Sequence, residues 1–121
     1  MCAAVAGFSG VALDAFAAHG LKTRLAPALQ PVFETAVRYQ IYHALALFAV
    51  AWAWVHWRHR AIAAAGVLFI TGIVLFCGSI YLRALTGLGV SGLAPIGGMA
   101  FLAGWLCLFA GVTVGGKKSP P

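Results

Sequence analysis

Glu34 and Arg38 stand four residues apart with the acid first, the spacing and order that favour an ion pair along one helical face. Tyr42 extends their stripe, and Tyr39 and His43 form a neighbouring one. Asp14, His19, Ser79, Tyr81 and Arg83 are further side chains that could hold an ion, move a proton or grip a polar ligand. His43 raises the sharpest question, because an imidazole among tyrosines can ligate haem or metal, or relay protons. A bis-histidine site needs a second imidazole at matching depth, and only His19 is available, nearer the surface. No CxxC, Cys–His or Glu-x-x-His spacing accompanies it. A relay through Asp14, His19 and His43 would serve one leaflet and then stop. The expectation is therefore a structural histidine, bonded to Tyr39 or a neighbouring carbonyl, with no catalytic group, metal or cofactor.

The elements that carry these residues are set by an unusual composition. Of 121 residues, 63% are hydrophobic and 8% charged, far from the balance of a soluble domain. Four apolar runs, 2–18, 37–57, 61–85 and 93–114, approach or exceed the ~20 residues that cross a bilayer. They lack the alternation of a membrane barrel, and in lipid the backbone must satisfy its own hydrogen bonds. The expectation is one all-α, integral membrane four-helix bundle with short connections and a polar tail at 115–121. Ala15-Phe16-Ala17 has the small-x-small look of a signal cleavage site, but no basic region precedes it and Asp14 interrupts the run, which favours a retained helix. The segment 19–36, with Pro27, Pro31, Leu21, Leu25 and Leu29, reads as an interfacial turn or a short amphipathic piece on the membrane surface.

The net charge of +6 falls in the gaps between runs, as Lys22/Arg24, Arg58/Arg60 and Lys117/Lys118, which is membrane-flank chemistry and not a nucleic-acid patch. The three cysteines, Cys2, Cys77 and Cys107, read as packing residues.

Small residues predict how the helices meet. Ala3, Gly7, Gly10, Asp14 and Ala17 fall on one stripe of the first helix. Ala65, Gly72, Ser79 and Thr86 recur every seven residues on the third with Arg83 alongside, and Gly97, Gly104 and Gly111 do so on the fourth. Such stripes let backbones approach where lipid offers no hydrophobic drive. A serpentine path brings Asp14, His19, Glu34, Arg38, Tyr39, Tyr42, His43, Ser79, Tyr81 and Arg83 to one leaflet, whereas His56, Arg58, His59 and Arg60 at the other end look solvated. Because intramembrane ions usually pair, Asp14 is expected to meet Arg83 or Arg38.

Several stretches carry a resemblance: Ala15-Phe16-Ala17-Ala18-His19-Gly20-Leu21, the run from Phe33 to Leu47, Phe76-Cys77-Gly78-Ser79-Ile80-Tyr81, and the run from Pro95 to Trp105. Together they resemble the signature of bacterial domain of unknown function 423, to which eukaryotic transmembrane protein 256 looks related. Asp14 and Ala17 depart from it, since the family commonly has glycine there. The resemblance implies a four-helix protein of the bacterial inner membrane and brings no established activity, substrate or cofactor.

The functional expectation is a non-catalytic membrane protein, an accessory or structural subunit docked on a larger membrane complex or self-associated in the lipid bilayer. Trp52, Trp54, Trp57, Phe69, Phe76 and Phe101 offer it apolar faces. The alternative is a small oligomeric transporter or channel built on the polar half-bundle around His43 and Arg38, and an enzyme acting on quinone or lipid there ranks third. If Arg38 and Arg83 are engaged within the bundle, the excess of free basic charge at the other end places both termini in the cytoplasm.

Overall fold

The computed structural model describes residues 1–90 and 92–118, and they fold as four helices. Helix α1 spans Cys2–Leu21 and closes in a π-helical turn over Ala17–Leu21. Helix α2 spans Gln30–Trp57, α3 spans Arg60–Thr86 with a π-helical turn over Ile73–Cys77, and α4 spans Leu93–Lys118. Among the described residues there is no strand. Helices α1, α3 and α4 are each long and apolar enough to cross a membrane. In α2, Gln40, His43 and two tyrosines dilute the hydropathy of a helix whose 28 residues reach ~42 Å at 1.5 Å per residue. It is the hub of the bundle: α1 lies along it on one side, and the closely packed α3–α4 pair on the other.

The tightest packing is between α3 and α4, and glycine makes it so. A Cβ added at Gly97 would lie 2.7 Å from Phe76 Cβ and 2.8 Å from Phe76 Cα. At Gly104 it would meet the Phe69 ring at 2.7 Å, and at Gly111 it would meet Ile62 Cγ1 at 2.5 Å. Ile62, Phe69 and Phe76 thus climb α3 in steps of seven and seat in Gly111, Gly104 and Gly97, which descend α4 in the same steps. Gly72 returns the contact: a Cβ added there would lie 2.5 Å from Phe101 Cε1. On the other side of the hub, Gly7 and Gly10 bring α1 against Ala44 and Ile41 of α2. Large apolar side chains such as Val5, Phe8, Val67, Leu102 and Phe109 point outward from all quarters, as lipid contact requires.

Three expectations need correction. Helix α2 begins at Gln30, seven residues before the apolar run, because Pro31 suits a first turn and Leu29, Phe33 and Val37 have a core to join. Leu21, Leu25, Phe33 and Val37 form that second core with Leu13, Ala17, Ile41 and Tyr81, so the 22–29 connection is a turn that tucks its leucines beneath the bundle end, and it forms no amphipathic helix of its own. Gln30 Nε2 fastens the connection, donating to the carbonyl of Lys22 at 3.1 Å. At the other end α4 runs on past residue 114 as far as Lys118, and Gly115 packs so close to α2 that an added Cβ would lie 2.7 Å from Trp57 Cβ. The rest of the expected tail, residues 119–121, and the Lys118 side chain lie outside the described residues.

Both tight turns use left-handed backbone. Arg58 closes α2 at φ +42°, and His59 then caps α3 by accepting from the Ala61 N–H at 3.2 Å, so this histidine is more than a solvated charge. Gly87 closes α3 at φ +72°, where an L side chain would be strained.

Candidate functional site

Gln40 is an amide in the middle of an apolar bundle and is 4% exposed. Such a group has to find partners from other helices, since lipid supplies none. Its Nε2 donates to the Ala6 carbonyl at 2.9 Å and to Ser9 Oγ at 2.7 Å, both on α1. Its Oε1 accepts from the Tyr81 hydroxyl of α3 at 2.8 Å. The Ser9 hydroxyl spends its own proton on the Val5 carbonyl at 2.8 Å. One side chain therefore ties three helices, and the absence of a Cβ at Gly10 leaves room for it: a Cβ there would lie 3.5 Å from Gln40 Nε2 and 2.9 Å from Ile41 Cγ1. Tyr81 also packs its ring on Phe33, centroids 5.1 Å apart. One turn earlier, Cys77 donates its thiol to the Ala36 carbonyl at 3.2 Å, a second tether between α3 and α2.

His43 forms the other lock. Its Nδ1 lies 2.6 Å from the Tyr39 carbonyl, which can only accept, so Nδ1 carries the proton. Its Nε2 lies 3.1 Å from Trp105 Nε1, which can only donate, so Nε2 is bare. The two contacts agree on one neutral tautomer. The ring stacks on Phe101 at 3.6 Å and 12°, with Phe69 and Trp105 at its edges. Tyr39 stacks in turn on Phe76 at 5.1 Å. Both imidazole nitrogens are thus engaged, and among the described residues no group of three His, Cys, Asp or Glu side chains is placed to hold a metal ion. Nitrogen NMR of the labelled imidazole is expected to show a protonated Nδ1 and an unprotonated Nε2 near neutral pH; the opposite tautomer would contradict this geometry.

The polar residues expected to gather at one leaflet do not form one cluster. Tyr39 and His43 face α4, Tyr81 faces α1 and α2 through Gln40, and the Ser79 hydroxyl turns back to the Phe76 carbonyl at 3.0 Å. Because α2 starts at Gln30, His43 lies about halfway along it and not two turns in. Glu34 and Arg38 pair at 3.5 Å as an exposed i,i+4 bridge, which contributes little. Asp14 pairs with neither arginine; that ion pair is the only one among the described residues. Leu13 and Ala17 carry the α1 contact stripe, leaving Asp14 on its exposed flank, and Arg83 lines a groove that α1 does not reach. His19 and Tyr42 are exposed as well. On the α3 stripe Ala65, Gly72 and Ser79 are buried, whereas Arg83 and Thr86 are exposed beyond them.

Ser9, Gln40 and Trp105 were not singled out by residue type, and they complete both locks. A signal existed for one: a lone amide inside an apolar run is expensive unless bonded, so Gln40 demands a partner. Trp105 gave none, because an indole on a membrane helix usually marks an interface.

Comparison with known proteins places the chain among membrane proteins. The model of the family described as protein of unknown function (DUF423) matches residues 13–98. UPF0382 membrane protein YwdK of Bacillus subtilis is 37% identical over 107 residues, covering 87% of each chain. A UPF0382 membrane protein of Staphylococcus haemolyticus is 41% identical over 105 residues, covering 81% of this chain and 80% of its own. UPF0382 inner membrane protein YgdD of Escherichia coli is 36% identical over 117 residues, covering 90% and 84%. No solved structure matches. A bundle of lipid-facing helices clasped by buried amide and imidazole locks, matched over most of its length by membrane proteins of three bacteria, belongs to the DUF423 family of membrane proteins.

Proposed function

We propose that this chain is a non-catalytic subunit that docks laterally on a transmembrane helix of a larger inner-membrane complex. One observation carries the reading. Between α2 and α4 lies an open, mainly apolar groove of about 640 Å³, lined by Tyr42, Phe76, Met99, Leu102 and Trp105 among others. Beside it the hydroxyls of Tyr39 and Tyr42 have no hydrogen-bond partner among the described residues. A partner helix with small residues and free carbonyls or hydroxyls would fill the groove and satisfy both phenols. The bundle interior supports the same reading, since every buried side-chain nitrogen and oxygen among the described residues is already bonded. A conduit would need polar groups free to meet a solute, so the transporter alternative gains nothing from the interior. The condition that places both termini in the cytoplasm is not met: Arg38 meets only the exposed Glu34 and Arg83 has no carboxylate within 4.0 Å among the described residues, so four Lys or Arg side chains stay at each end and the charge rule favours neither orientation.

A photocrosslinking residue placed at Met99 or Leu102 tests the docking, with Val67, an equally exposed position on α3, as reference. In native membranes the two groove positions are expected to yield a discrete adduct with another membrane polypeptide that Val67 does not. Lipid adducts alone, or the same pattern from all three positions, would sink the proposal.

A further inference from the structure

A second groove opens where α2 begins, α3 ends and α4 begins, and it shares Pro95 with the first. Leu29, Val32, Ile80, Ala84, Val90 and Pro95 give it apolar walls, and its volume of about 330 Å³ falls in the ~300–1,000 Å³ range of small-ligand sites. Ser79 and Arg83 are the polar residues in its lining. The Ser79 hydroxyl already donates to Phe76, which leaves it acceptor capacity only. Arg83 lies in the last turn of α3, exposed, with no carboxylate within 4.0 Å among the described residues. It stands one turn before Thr86, where α3 ends, so in a bilayer spanned by α3 the guanidinium belongs at the headgroup end of the groove and the apolar walls on its acyl side.

The charge around the groove is one-sided. This end of the bundle carries Lys22, Arg24, Arg38 and Arg83 against Asp14 and Glu34. Glu34 is engaged by Arg38, and Asp14 lies on α1, which contributes nothing to the groove. An occupant has to bring an anion to Arg83 and an apolar body to the walls. A free soluble anion would leave the walls unfilled, and a zwitterionic lipid would leave the guanidinium sharing its phosphate with an attached cation.

We infer that the groove binds an anionic phospholipid, its phosphate on Arg83 and one acyl chain along the Leu29–Val32–Ile80–Ala84 wall. The phosphate–guanidinium contact is charge-assisted and suits the planar fork of arginine. Selectivity then resides in Arg83, and retention in the apolar walls.

The purified full chain, in detergent and supplied with phosphatidylglycerol or phosphatidylcholine of matched acyl chains, tests this by native mass spectrometry. The wild type is expected to retain one phosphatidylglycerol over phosphatidylcholine by about fivefold, the factor one basic side chain near an anionic surface supplies. Arg83→Gln removes that preference, Arg83→Lys keeps part of it, and Arg60→Gln, an exposed cation at the other end, leaves it intact. Ala84→Trp, which fills the groove, lowers retention of both lipids; should it fail to fold, Ala94→Leu serves the same purpose. An unchanged preference in Arg83→Gln overturns the assignment, as does an equal loss in Arg60→Gln. Displacement of the lipid by millimolar inorganic phosphate also overturns it, because the recognised group would then be a soluble anion.

Discussion

Gly97→Ala is expected to destabilise the bundle by about 3 kcal/mol or more, while Gly98→Ala, one residue along, changes stability by less than about 0.5 kcal/mol. The contrast comes from what each new methyl meets. At position 97 it would run into the backbone nitrogen and Cα of Phe76, with Cα at 2.8 Å and the attached Cβ at 2.7 Å. Backbone inside a helix cannot rotate away, so relief requires α3 and α4 to separate, and that breaks the seating of Phe69 at Gly104 and Ile62 at Gly111 together. At position 98 the methyl would sit 4.0 Å from Phe76 Cδ2, an ordinary van der Waals contact. Gly104→Ala falls between, since its methyl meets an aromatic ring at 2.7 Å that has some freedom to shift. Reversible unfolding in mixed micelles of increasing denaturing detergent orders the three variants. Equal midpoints for Gly97→Ala and Gly98→Ala would show that the glycines of α4 are there for composition and not for contact.

The glycine half of this seven-residue interlock is legible in the chain. Gly97, Gly104 and Gly111 repeat with the coiled-coil period, and in lipid a small-residue stripe has little use except to admit a neighbour. The sequence could not say what fills the holes, because Ile62, Phe69 and Phe76 share their apolar character with every lipid-facing residue around them. The polar half was harder. Glu34 and Arg38 announce themselves by spacing, and they turned out to be an exposed pair of small consequence. Asp14 looked inward by the stripe rule, yet a position on the flank of a stripe differs from its centre by only tens of degrees. Gln40 and Trp105 carry the bonds that join helices, and their partners lie 31 to 62 residues away along the chain. Such pairings depend on which helices neighbour each other and at what height, which hydropathy does not encode. The π-helical turn at Ile73–Cys77 is equally silent in sequence, although it carries Phe76, which meets Gly97 of α4, and precedes Tyr81, which reaches Gln40.

Gln40→Leu, close to the glutamine in volume, is expected to destabilise the protein by about 2–4 kcal/mol, because three interhelical bonds are lost at ~0.6 to ~1.7 kcal/mol each. The partners left behind matter as much as the bonds. Tyr81 keeps a hydroxyl with no acceptor, and Ser9 and the Ala6 carbonyl lose their donor, in a region that water does not reach. Tyr81→Phe separates these contributions. In the wild-type background it removes one bond and strands Gln40 Oε1, for an expected loss of about 1 kcal/mol. In the Gln40→Leu background it removes a hydroxyl already stranded, and its effect is expected to be near zero or slightly favourable. The cycle should therefore show a coupling of about 1 kcal/mol between residues 40 and 81; strictly additive effects would mean that the 2.8 Å contact does not act as a bond in the membrane. The same variants report on specificity. Helix α1 meets the hub through the glycine contacts at Gly7 and Gly10 and through this amide, and leucine could preserve the apolar fit while leaving α1 free to slide or turn. Faster proteolysis within α1 in Gln40→Leu than in a Gly98→Ala control would show that the amide fixes the height at which α1 docks.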